Sequence, residues 1–343
     1  MSVKLLALLS ANIGPTPTSS AASFTAASIP HLTGKVILVT GGTNGLGKQS
    51  IVDLARHGQP AEIWLAARDM TKANETISEI QSQLQPGNKT KLCPLKLDLS
   101  SLASVQAAAK HLLASTNRLD ILLLNAGIMA TPAGLSPEGY EIQFATNYLG
   151  HTLLTDLLLP LLSKTASVSP ESDVRIVSVS SAGYSFAPAP GINLSNLTKP
   201  DAGGLEGLQR YGQSKLASIL WTRELARRYP NFCVTAVHPG VVQTNLMSSA
   251  GDSPLLMKIF TKVFYGLLTG VEKGTRNQLW AATAPRAAHS GNKGKETNGV
   301  KSGEYYEPVG KGGLASETAR DDVLAGRLWD WTEQSLRPWV QGT

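Results

Sequence analysis

Residues 35–58 read KVILVTGGTNGLGKQSIVDLARHG. The apolar, β-branched run Val36–Val39 predicts a short strand, and it leads directly into a glycine-rich turn. From Gly45 to His57 the apolar residues recur at helical spacing, and Gly58 is placed to end that helix. A strand, a glycine turn and a helix in this order are typical of the first unit of a nucleotide-binding α/β sheet.

Strand and helix patterns alternate along the chain beyond this unit. The predicted strands are apolar on both faces and are separated by helices of ten or more residues, which is typical of a parallel sheet covered on both sides. We therefore predict a doubly wound α/β fold in one domain, at residues 33–285. The other predicted strands are Glu62–Ala67, Lys91–Leu97, Ile121–Leu124, Val174–Val179 and Phe232–Val237, and the other helices are Asp69–Gln85, Ser101–Asn117, Glu141–Leu162 and Leu208–Tyr229.

Four segments depart from this rhythm. Residues 1–32 are rich in Ala, Ser, Thr and Pro and predict a flexible leader, and residues 286–343 predict a peripheral C-terminal extension. Two insertions, at residues 182–204 and 246–270, follow carboxyl ends of strands, where open α/β sheets bind ligands. We expect both insertions to be substrate lids.

The 246–270 lid carries apolar residues three and four apart, including Phe260 and Phe264, which predicts one apolar helical face. A buried structural helix would give the same pattern. As a lid, this face favours a lipophilic substrate. Lys258 and Lys262 would then face water or an anionic membrane surface, which allows peripheral membrane contact.

Composition excludes several classes of protein. The 343 residues are 42% hydrophobic and 16% charged, which is too apolar for a disordered chain. Cys93 and Cys233 are too few for a disulfide framework, so we expect a reducing, cytoplasmic location. The net charge of +6 is scattered without interleaved aromatic residues, so we expect no nucleic-acid partner. No apolar run approaches the roughly 20 residues that a spanning helix needs.

The turn Thr40-Gly41-Gly42-Thr43-Asn44-Gly45-Leu46-Gly47 has the glycines that let a backbone approach a pyrophosphate. A tight structural turn would look similar, but the position between strand and helix favours a dinucleotide site. The phosphate loop of nucleotide hydrolases is excluded, because that motif needs Ser or Thr where this chain has Gln49.

Tyr211 and Lys215 lie four apart in a predicted helix and therefore share one face. A neighbouring ammonium favours the phenolate, so Lys215 would lower the pKa of Tyr211 and make it an acid–base group. The preceding strand ends in Ser180-Ser181, and a serine hydroxyl there would hold a substrate oxygen.

Taken together, these residues resemble the short-chain dehydrogenase/reductase family over about residues 35–284. The resemblance implies a Rossmann fold. Within the family, the chain is similar to the retinol-dehydrogenase-like group, and Gly303-Glu-Tyr-Tyr-Glu-Pro-Val309 is similar to fungal members, which commonly act in secondary metabolite pathways. The matched positions are the Thr40–Gly47 turn, Asp98, Asn125-Ala126-Gly127, Asn147, Ser180-Ser181, Tyr211-x-x-x-Lys215 and Pro239-Gly240 through Thr244.

The resemblance also implies residue roles. Tyr211 would be the acid/base, Lys215 would hold the nicotinamide ribose, and Asn147 would support a proton relay through water. The family's serine corresponds to Ser181, 30 residues before Tyr211, although Ser180 remains an alternative. The cofactor-binding residues implied are Gly41, Thr43, Asn44, Gly45, Leu46, Gly47, Lys48, Arg68, Lys72, Asp98, Asn125, Ala126, Gly127, Tyr211, Lys215, Pro239, Val242 and Thr244. No metal is expected.

Charge at the end of the second strand predicts the cofactor. An acidic residue there would bind the ribose of NAD, whereas Arg68, with Lys48 and Lys72, would neutralise the 2′-phosphate of NADP. The alternative is that Arg68 is a solvated surface charge. The neighbouring Asp69 is an acidic residue next to this strand end and weighs against NADP. We nevertheless expect NADP (NADPH).

The sequence thus predicts an NADP-dependent oxidoreductase acting on a carbonyl/alcohol pair of a small, lipophilic metabolite, as a monomer or homodimer. Two alternatives keep the nucleotide site: a non-redox dehydratase, epimerase or cyclase on the same fold, and a nucleotide-sensing regulator. His238 has no partner at ligand spacing and is expected to be structural. Leu124 replaces an Asn that many family members carry, which should affect loop support more than chemistry.

Overall fold

The computed structural model describes residues 20–242, 269–287 and 299–341. Seven parallel strands form one sheet in the order β3-β2-β1-β4-β5-β6-β7. The strands are β1 (Val36–Thr40), β2 (Glu62–Ala67), β3 (Lys91–Lys96), β4 (Ile121–Leu124), β5 (Val174–Val179), β6 (Phe232–Val237) and β7 (Tyr305–Tyr306). The predicted doubly wound α/β fold is confirmed.

Seven helices cover the sheet within the described residues. They are α1 (Gly45–Asp53), α2 (Met70–Ser82), α3 (Leu102–Ser115), α4 (Gly150–Ala166), α5 (Gly207–Arg228), α6 (Arg276–Thr283) and α7 (Asp322–Val340). Shorter helical turns lie between them, and two of these are π turns: Leu54–Gly58, which continues α1, and Ala145–Leu149, which precedes α4. The second π turn carries Asn147, and such turns are frequent at functional sites.

The core has two layers because strand side chains alternate between the two faces of the sheet. In β1, Val36 and Leu38 pack on one face with apolar residues of α3, α4, α5 and α7. Ile37 and Val39 pack on the other face with α1, α2 and α6. Both faces are therefore buried, and the carboxyl edge of the sheet is left to bind ligands.

The strand order reverses between β1 and β4, because the chain runs from β1 outward to β3 and then returns to β4. A crevice opens at such a switch point, outside the carboxyl ends of the strands. The glycine turn after β1 and the Asn125-Ala126-Gly127 turn after β4 both lie there.

The predicted peripheral extension 286–343 is wrong for its described part. Tyr305 and Tyr306 pair with β6 as the last strand of the sheet. Leu328 and Trp329 of α7 are buried in the core layer that includes α5. The amphipathic spacing of α7 supplies an apolar face, and this face covers sheet and helices that would otherwise be exposed.

The predicted leader 1–32 is also partly wrong, because residues 20–32 are packed. Phe24, Ile29 and Leu32 are buried in the layer that includes α1. The Leu32 N–H donates to the carbonyl of Gly58 at 2.6 Å. Residues 1–19 lie outside the described part of the chain.

The two predicted lids have different outcomes. Most of the 246–270 stretch, including Phe260 and Phe264, lies outside the described residues. The 182–204 insertion is packed: Ile192, Leu197 and Ala202 are buried. Within the described residues, no helix has both the length and the apolar content needed to span a bilayer.

Candidate active site

The glycine turn after β1 is built for close approach of backbone atoms. Gly41 and Gly45 have φ of +70° and +51°, a region that side chains disfavour. A Cβ on Gly47 would lie 2.3 Å from the carbonyl oxygen of Gly41, so only glycine fits there. Asn44 caps α1, because its Oδ1 accepts from the Gly45 N–H at 2.7 Å.

The first-turn N–H groups of α1, including that of Leu46, have no carbonyl partner within the helix and lie at the crevice, although the Gly45 N–H is taken by Asn44. Those N–H groups and the positive end of the helix dipole attract a phosphate. The turn fits the pyrophosphate of a dinucleotide on this geometry. Thr43 lies in the same turn and is partly buried.

The turn after β4 is tied to β1 by Thr40. The Thr40 Oγ1 accepts the N–H groups of Asn125 and Ala126 at 2.9 and 3.0 Å. The Asn125 Nδ2 donates to the Thr40 carbonyl at 2.9 Å, and its Oδ1 accepts from Gln278 at 3.3 Å. The Asn125 side chain thus positions the turn after β4, and this turn lines the crevice.

Asn147 and Lys215 converge on Gly127. A Cβ on Gly127 would lie 3.2 Å from Asn147 Oδ1 and 3.4 Å from Lys215 Nζ. The Asn147 amide holds the chain after β4 by accepting from the Ile128 N–H at 2.8 Å and donating to its carbonyl at 2.9 Å. It also donates to Ser214 Oγ on α5 at 2.9 Å. Asn147 therefore joins α5 to this loop.

Tyr211 is buried at the crevice with its ring against Gly183. A Cβ on Gly183 would lie 2.9 Å from Tyr211 Cε1. Ser181 lies near the Tyr211 hydroxyl and opposes the effect of burial on the pKa of Tyr211, and its own hydroxyl accepts from the Gly183 N–H at 3.0 Å. The Ser180 hydroxyl instead donates to the Lys215 carbonyl at 2.9 Å and is buried. Of the two serines, only Ser181 has its hydroxyl beside the phenol.

The expected direction of the Tyr211 pKa shift is not what the structure shows. Burial raises the pKa of Tyr211 to about 12, although the interaction with Ser181 opposes this shift. Burial likewise lowers the pKa of Lys215 to about 8. Lys215 Nζ donates to the Val179 carbonyl at 2.8 Å and lies 5.8 Å from the centre of the Tyr211 ring. Tyr211 is thus a protonated phenol at neutral pH in this arrangement, which suits a proton donor.

The residues expected to select the cofactor lie around the end of β2. Arg68 is exposed, and its guanidinium has no protein partner within the described residues. Asp69 is occupied as the cap of α2, because its Oδ1 accepts from the Lys72 N–H at 3.1 Å. Lys48 Nζ lies 2.6 Å from a carboxylate oxygen of Glu79 on α2, so its charge is paired within the protein. Arg68 and the exposed Lys72 have no paired carboxylate among the described residues, and the Lys96 ammonium at this edge donates to the Arg68 carbonyl.

The other predicted cofactor residues also lie at the carboxyl edge. Asp98 follows β3, and its Oδ1 accepts from the N–H and hydroxyl of Ser100 at 3.0 and 2.7 Å. Pro239 follows β6, and Val242 packs with Leu46 around Gly274, where a Cβ would lie 2.5 Å from the valine. Thr244 lies outside the described residues.

One buried residue that supports the site, His151, is not among the residues predicted from the sequence. His151 bridges Thr40 and Asn147 through its two ring nitrogens, at 2.9 and 3.1 Å. The sequence feature that could have identified His151 is its spacing from Asn147, because it follows Asn147 by one helical turn and lies on the same face.

Several known proteins are similar to this chain in sequence. Residues 35–193 match the family described as short chain dehydrogenase. The chain is 37% identical to the short-chain dehydrogenase/reductase drtF of Aspergillus calidoustus, over 90% of this chain and 96% of that one. It is 36% identical to human retinol dehydrogenase 14, over 88% and 85% of the two chains.

The fold is also shared with a solved structure, the NADPH-bound carbonyl reductase from chicken fatty liver. That structure has a TM-score of 0.55 and 22% identity, and the match covers 81% of this chain and 98% of that one. The glycine turn, the cluster around Gly127 and the similarity over nine-tenths of the chain lead to one assignment. This chain belongs to the short-chain dehydrogenase/reductase family, with retinol-dehydrogenase-like relatives.

Proposed function

We propose that this protein is an NADP-dependent oxidoreductase that transfers hydride between nicotinamide and the carbonyl/alcohol of a small, lipophilic metabolite. The observation that carries the proposal is the cluster of Ser181, Tyr211, Lys215 and Asn147 beside the glycine turn. A nucleotide sensor needs no protonated phenol and partner serine at this position, whereas carbonyl reduction needs both a proton donor and a group that holds the oxygen.

The residues have separable tasks in this proposal. Bound nicotinamide supplies or accepts the hydride at the carbonyl carbon. Ser181 holds the carbonyl oxygen, and Tyr211 donates its proton to that oxygen as the alcohol forms. Lys215 holds the nicotinamide ribose through its ammonium, and Asn147 supports the return of a proton from water. In the oxidative direction, Tyr211 accepts the alcohol proton.

Arg68 supports NADP over NAD. Its exposed guanidinium is free to pair with a 2′-phosphate, while the adjacent carboxylate of Asp69 is engaged as a helix cap. The chicken carbonyl reductase of the same fold is NADPH-bound, which is consistent with this choice.

A lipophilic substrate is supported by the similarity to human retinol dehydrogenase 14 and by the apolar pattern predicted for residues 246–270. The two cysteines, Cys93 and Cys233, are unpaired and buried, which suits the reducing cytoplasm that we propose as its location. The four catalytic side chains come from one chain, so monomer and homodimer are both compatible with the chemistry.

The test is a stoichiometric assay of the full chain with NADPH and a panel of ketones, aldehydes and quinones. We expect one alcohol formed for each NADPH oxidised. Product formation without net NADPH oxidation would contradict the proposal and indicate a dehydratase, epimerase or cyclase. Saturable NADPH binding with no product from any substrate would instead favour a nucleotide-sensing regulator.

A further inference from the structure

Three buried side chains at the ends of β6 and β7 each keep a polar atom without a partner. They are Tyr305, Glu307 and His238, which are 2%, 6% and 5% exposed. The unpartnered atoms are Tyr305 Oη, Glu307 Oε2 and His238 Nδ1, and none of them has a hydrogen bond to the described residues. We call these three side chains the β7 recess. Two of its residues, Tyr305 and Glu307, belong to the Gly303–Val309 motif.

The β6–β7 register places the three residues at neighbouring positions. Ala236 pairs with Tyr305 and Val237 with Tyr306, and the His238 N–H donates to the Tyr306 carbonyl at 2.8 Å. His238 and Glu307 are thus the next neighbours along the two strands, at the carboxyl edge. Because side chains alternate between faces, Glu307 follows Tyr305 on the same face.

That face is the one covered by α5, which carries Tyr211. Tyr305 packs in the core layer that includes the α5 residues Leu216 and Leu220. The pKa of Tyr305 is raised well above its ordinary value by burial first, and also by the neighbouring Glu307, Tyr184 and Tyr211. Tyr305 therefore lies close enough to Tyr211, the phenol that we propose as the proton donor, for the two groups to interact electrostatically.

The neighbouring Tyr184 gives no hydrogen bond to the unpartnered atoms of the β7 recess. The rings of Tyr184 and Tyr305 meet edge to face with centres 5.4 Å apart. The Tyr184 hydroxyl is already used, because it accepts from the Ser316 N–H at 2.9 Å. Buried polar groups in proteins nearly always have partners, so three unpartnered atoms carried by neighbouring positions on one face of the sheet favour a group that is not part of the chain.

The chemistry of the recess limits what that group is. Burial raises the pKa of Glu307 to about 7, with Lys311 opposing the shift, and burial lowers the pKa of His238 to about 4. Near neutral pH the histidine is uncharged and the carboxyl group is partly protonated. A phosphate or carboxylate would be repelled by the ionised fraction of Glu307, and an ammonium could accept nothing from Tyr305.

A hydroxyl group fits, because it both donates and accepts. It can donate to Glu307 Oε2 while it accepts from the Tyr305 O–H, and a neutral His238 can serve either role. We infer that the β7 recess binds a hydroxyl group of the substrate, so that the enzyme acts on apolar carbonyl compounds carrying a second, hydroxyl function. This inference rests on the proposed reductase function.

The kinetic test uses matched aldehydes that differ only in a hydroxyl group. The pairs are benzaldehyde with para-hydroxybenzaldehyde and naphthaldehyde with hydroxynaphthaldehyde, which offer two lengths. For the wild-type chain with NADPH, we expect kcat/KM to be about tenfold or more higher for the hydroxylated member of at least one pair. In Tyr305→Phe and Glu307→Gln, which keep side-chain volume, this ratio should fall toward one.

Matched controls separate the recess from its surroundings. Tyr184→Phe removes a hydroxyl that already has a partner, and Glu317→Gln removes an exposed carboxylate, so both should keep the wild-type ratio. Equal kcat/KM within both pairs for the wild-type chain, or an unchanged ratio in Tyr305→Phe and Glu307→Gln, would overturn the inference. Either result would mean that water alone occupies the recess.

A binding measurement keeps the inference independent of turnover. Ligand-observed NMR compares benzyl alcohol with para-hydroxybenzyl alcohol, and naphthalenemethanol with its hydroxylated form, on the wild-type chain and on Tyr305→Phe. Tighter binding of a hydroxylated alcohol to the wild-type chain alone supports the recess even if no carbonyl is reduced, in which case only the reductase proposal fails. Equal binding of the members of both pairs overturns the recess even if the reductase proposal stands.

Discussion

His151 Nε2 lies 2.9 Å from Thr40 Oγ1, and both side chains are buried between β1 and the helix that carries Asn147. The other ring nitrogen, Nδ1, lies 3.1 Å from the Asn147 carbonyl, which can only accept. Nδ1 therefore carries the proton, and Nε2 accepts from the Thr40 hydroxyl. Burial, aided by the charge of Lys215, lowers the pKa of His151 to about 3, so the ring stays neutral.

This network makes Thr40 a structural link between the glycine turn and the catalytic cluster. Thr40→Val would leave two buried groups without a partner, His151 Nε2 and the Ala126 N–H, whereas the Asn125 N–H would keep its bond to the Leu123 carbonyl at 3.1 Å. Each unsatisfied buried group costs about 1–3 kcal/mol, so we expect the free energy of unfolding to fall by about 2–4 kcal/mol. Denaturant titration measures this. Thr40→Ser keeps the hydroxyl, so its free energy of unfolding should fall far less. An equal fall in the two variants would contradict the network.

Tyr211→Phe should abolish most turnover and leave NADPH affinity nearly intact. The change removes the proton donor and little volume, and loss of general acid catalysis lowers rates by about 10²–10⁴-fold. Steady-state kinetics and fluorescence titration with NADPH measure the two effects. Lys215→Ala should lower both turnover and NADPH affinity, because we propose that Lys215 acts on the phenol and also holds the nicotinamide ribose. Wild-type turnover in Tyr211→Phe, with chemistry rate-limiting, would refute the mechanism.

The two serines should separate cleanly. Ser181→Ala removes the hydroxyl beside Tyr211 and should lower kcat/KM by about 10²-fold. It also removes the bond that Ser181 Oγ accepts from the Gly183 N–H at 3.0 Å, which should cost about 1 kcal/mol of stability. Ser180→Ala removes a buried bond to the Lys215 carbonyl and should cost about 1 kcal/mol of stability, with kcat/KM near the wild-type value. Parallel kinetic and melting measurements decide; the reverse pattern would assign the role to Ser180.

Arg68→Asp should shift cofactor preference from NADPH toward NADH. A hydrogen bond to a charged group contributes about 1.5–3 kcal/mol, so the ratio of kcat/KM for the two cofactors should change by about 10–100-fold. Lys110→Asp makes the same charge change on an exposed site of α3 and serves as the control. If the ratio stayed constant in Arg68→Asp, the 2′-phosphate would have to be bound elsewhere.

Glu307 should make stability fall as pH rises. Its folded pKa of about 7 exceeds the usual value of 4.5, so between these pH values the folded chain holds a proton that the unfolded chain has lost. The stabilisation is complete below pH 4.5 and lost above pH 7. Relative to wild type, Glu307→Gln should therefore gain on the order of 1–3 kcal/mol between pH 4.5 and 8. Denaturant titrations across this range measure it, and a pH-independent difference would show that Glu307 titrates normally.

The sequence by itself determined most of the local structure. The strands Glu62–Ala67, Ile121–Leu124, Val174–Val179 and Phe232–Val237 have the bounds predicted from their apolar runs. The spacing of Tyr211 and Lys215 placed both on one helix. These features depend on residues a few positions apart, whose propensities and turn chemistry act along the chain.

Only the tertiary structure decided which side chains meet. Ser180 and Ser181 are adjacent and chemically identical, and the packing of α5 selects the one whose hydroxyl reaches Tyr211. Lys48 pairs with Glu79 on a different helix. Tyr305 lies in a segment that its sequence marked as peripheral, yet it completes the sheet beside α5. Such contacts join residues far apart in the chain, and they form because burying both faces of the sheet brings these residues together, which no local pattern records.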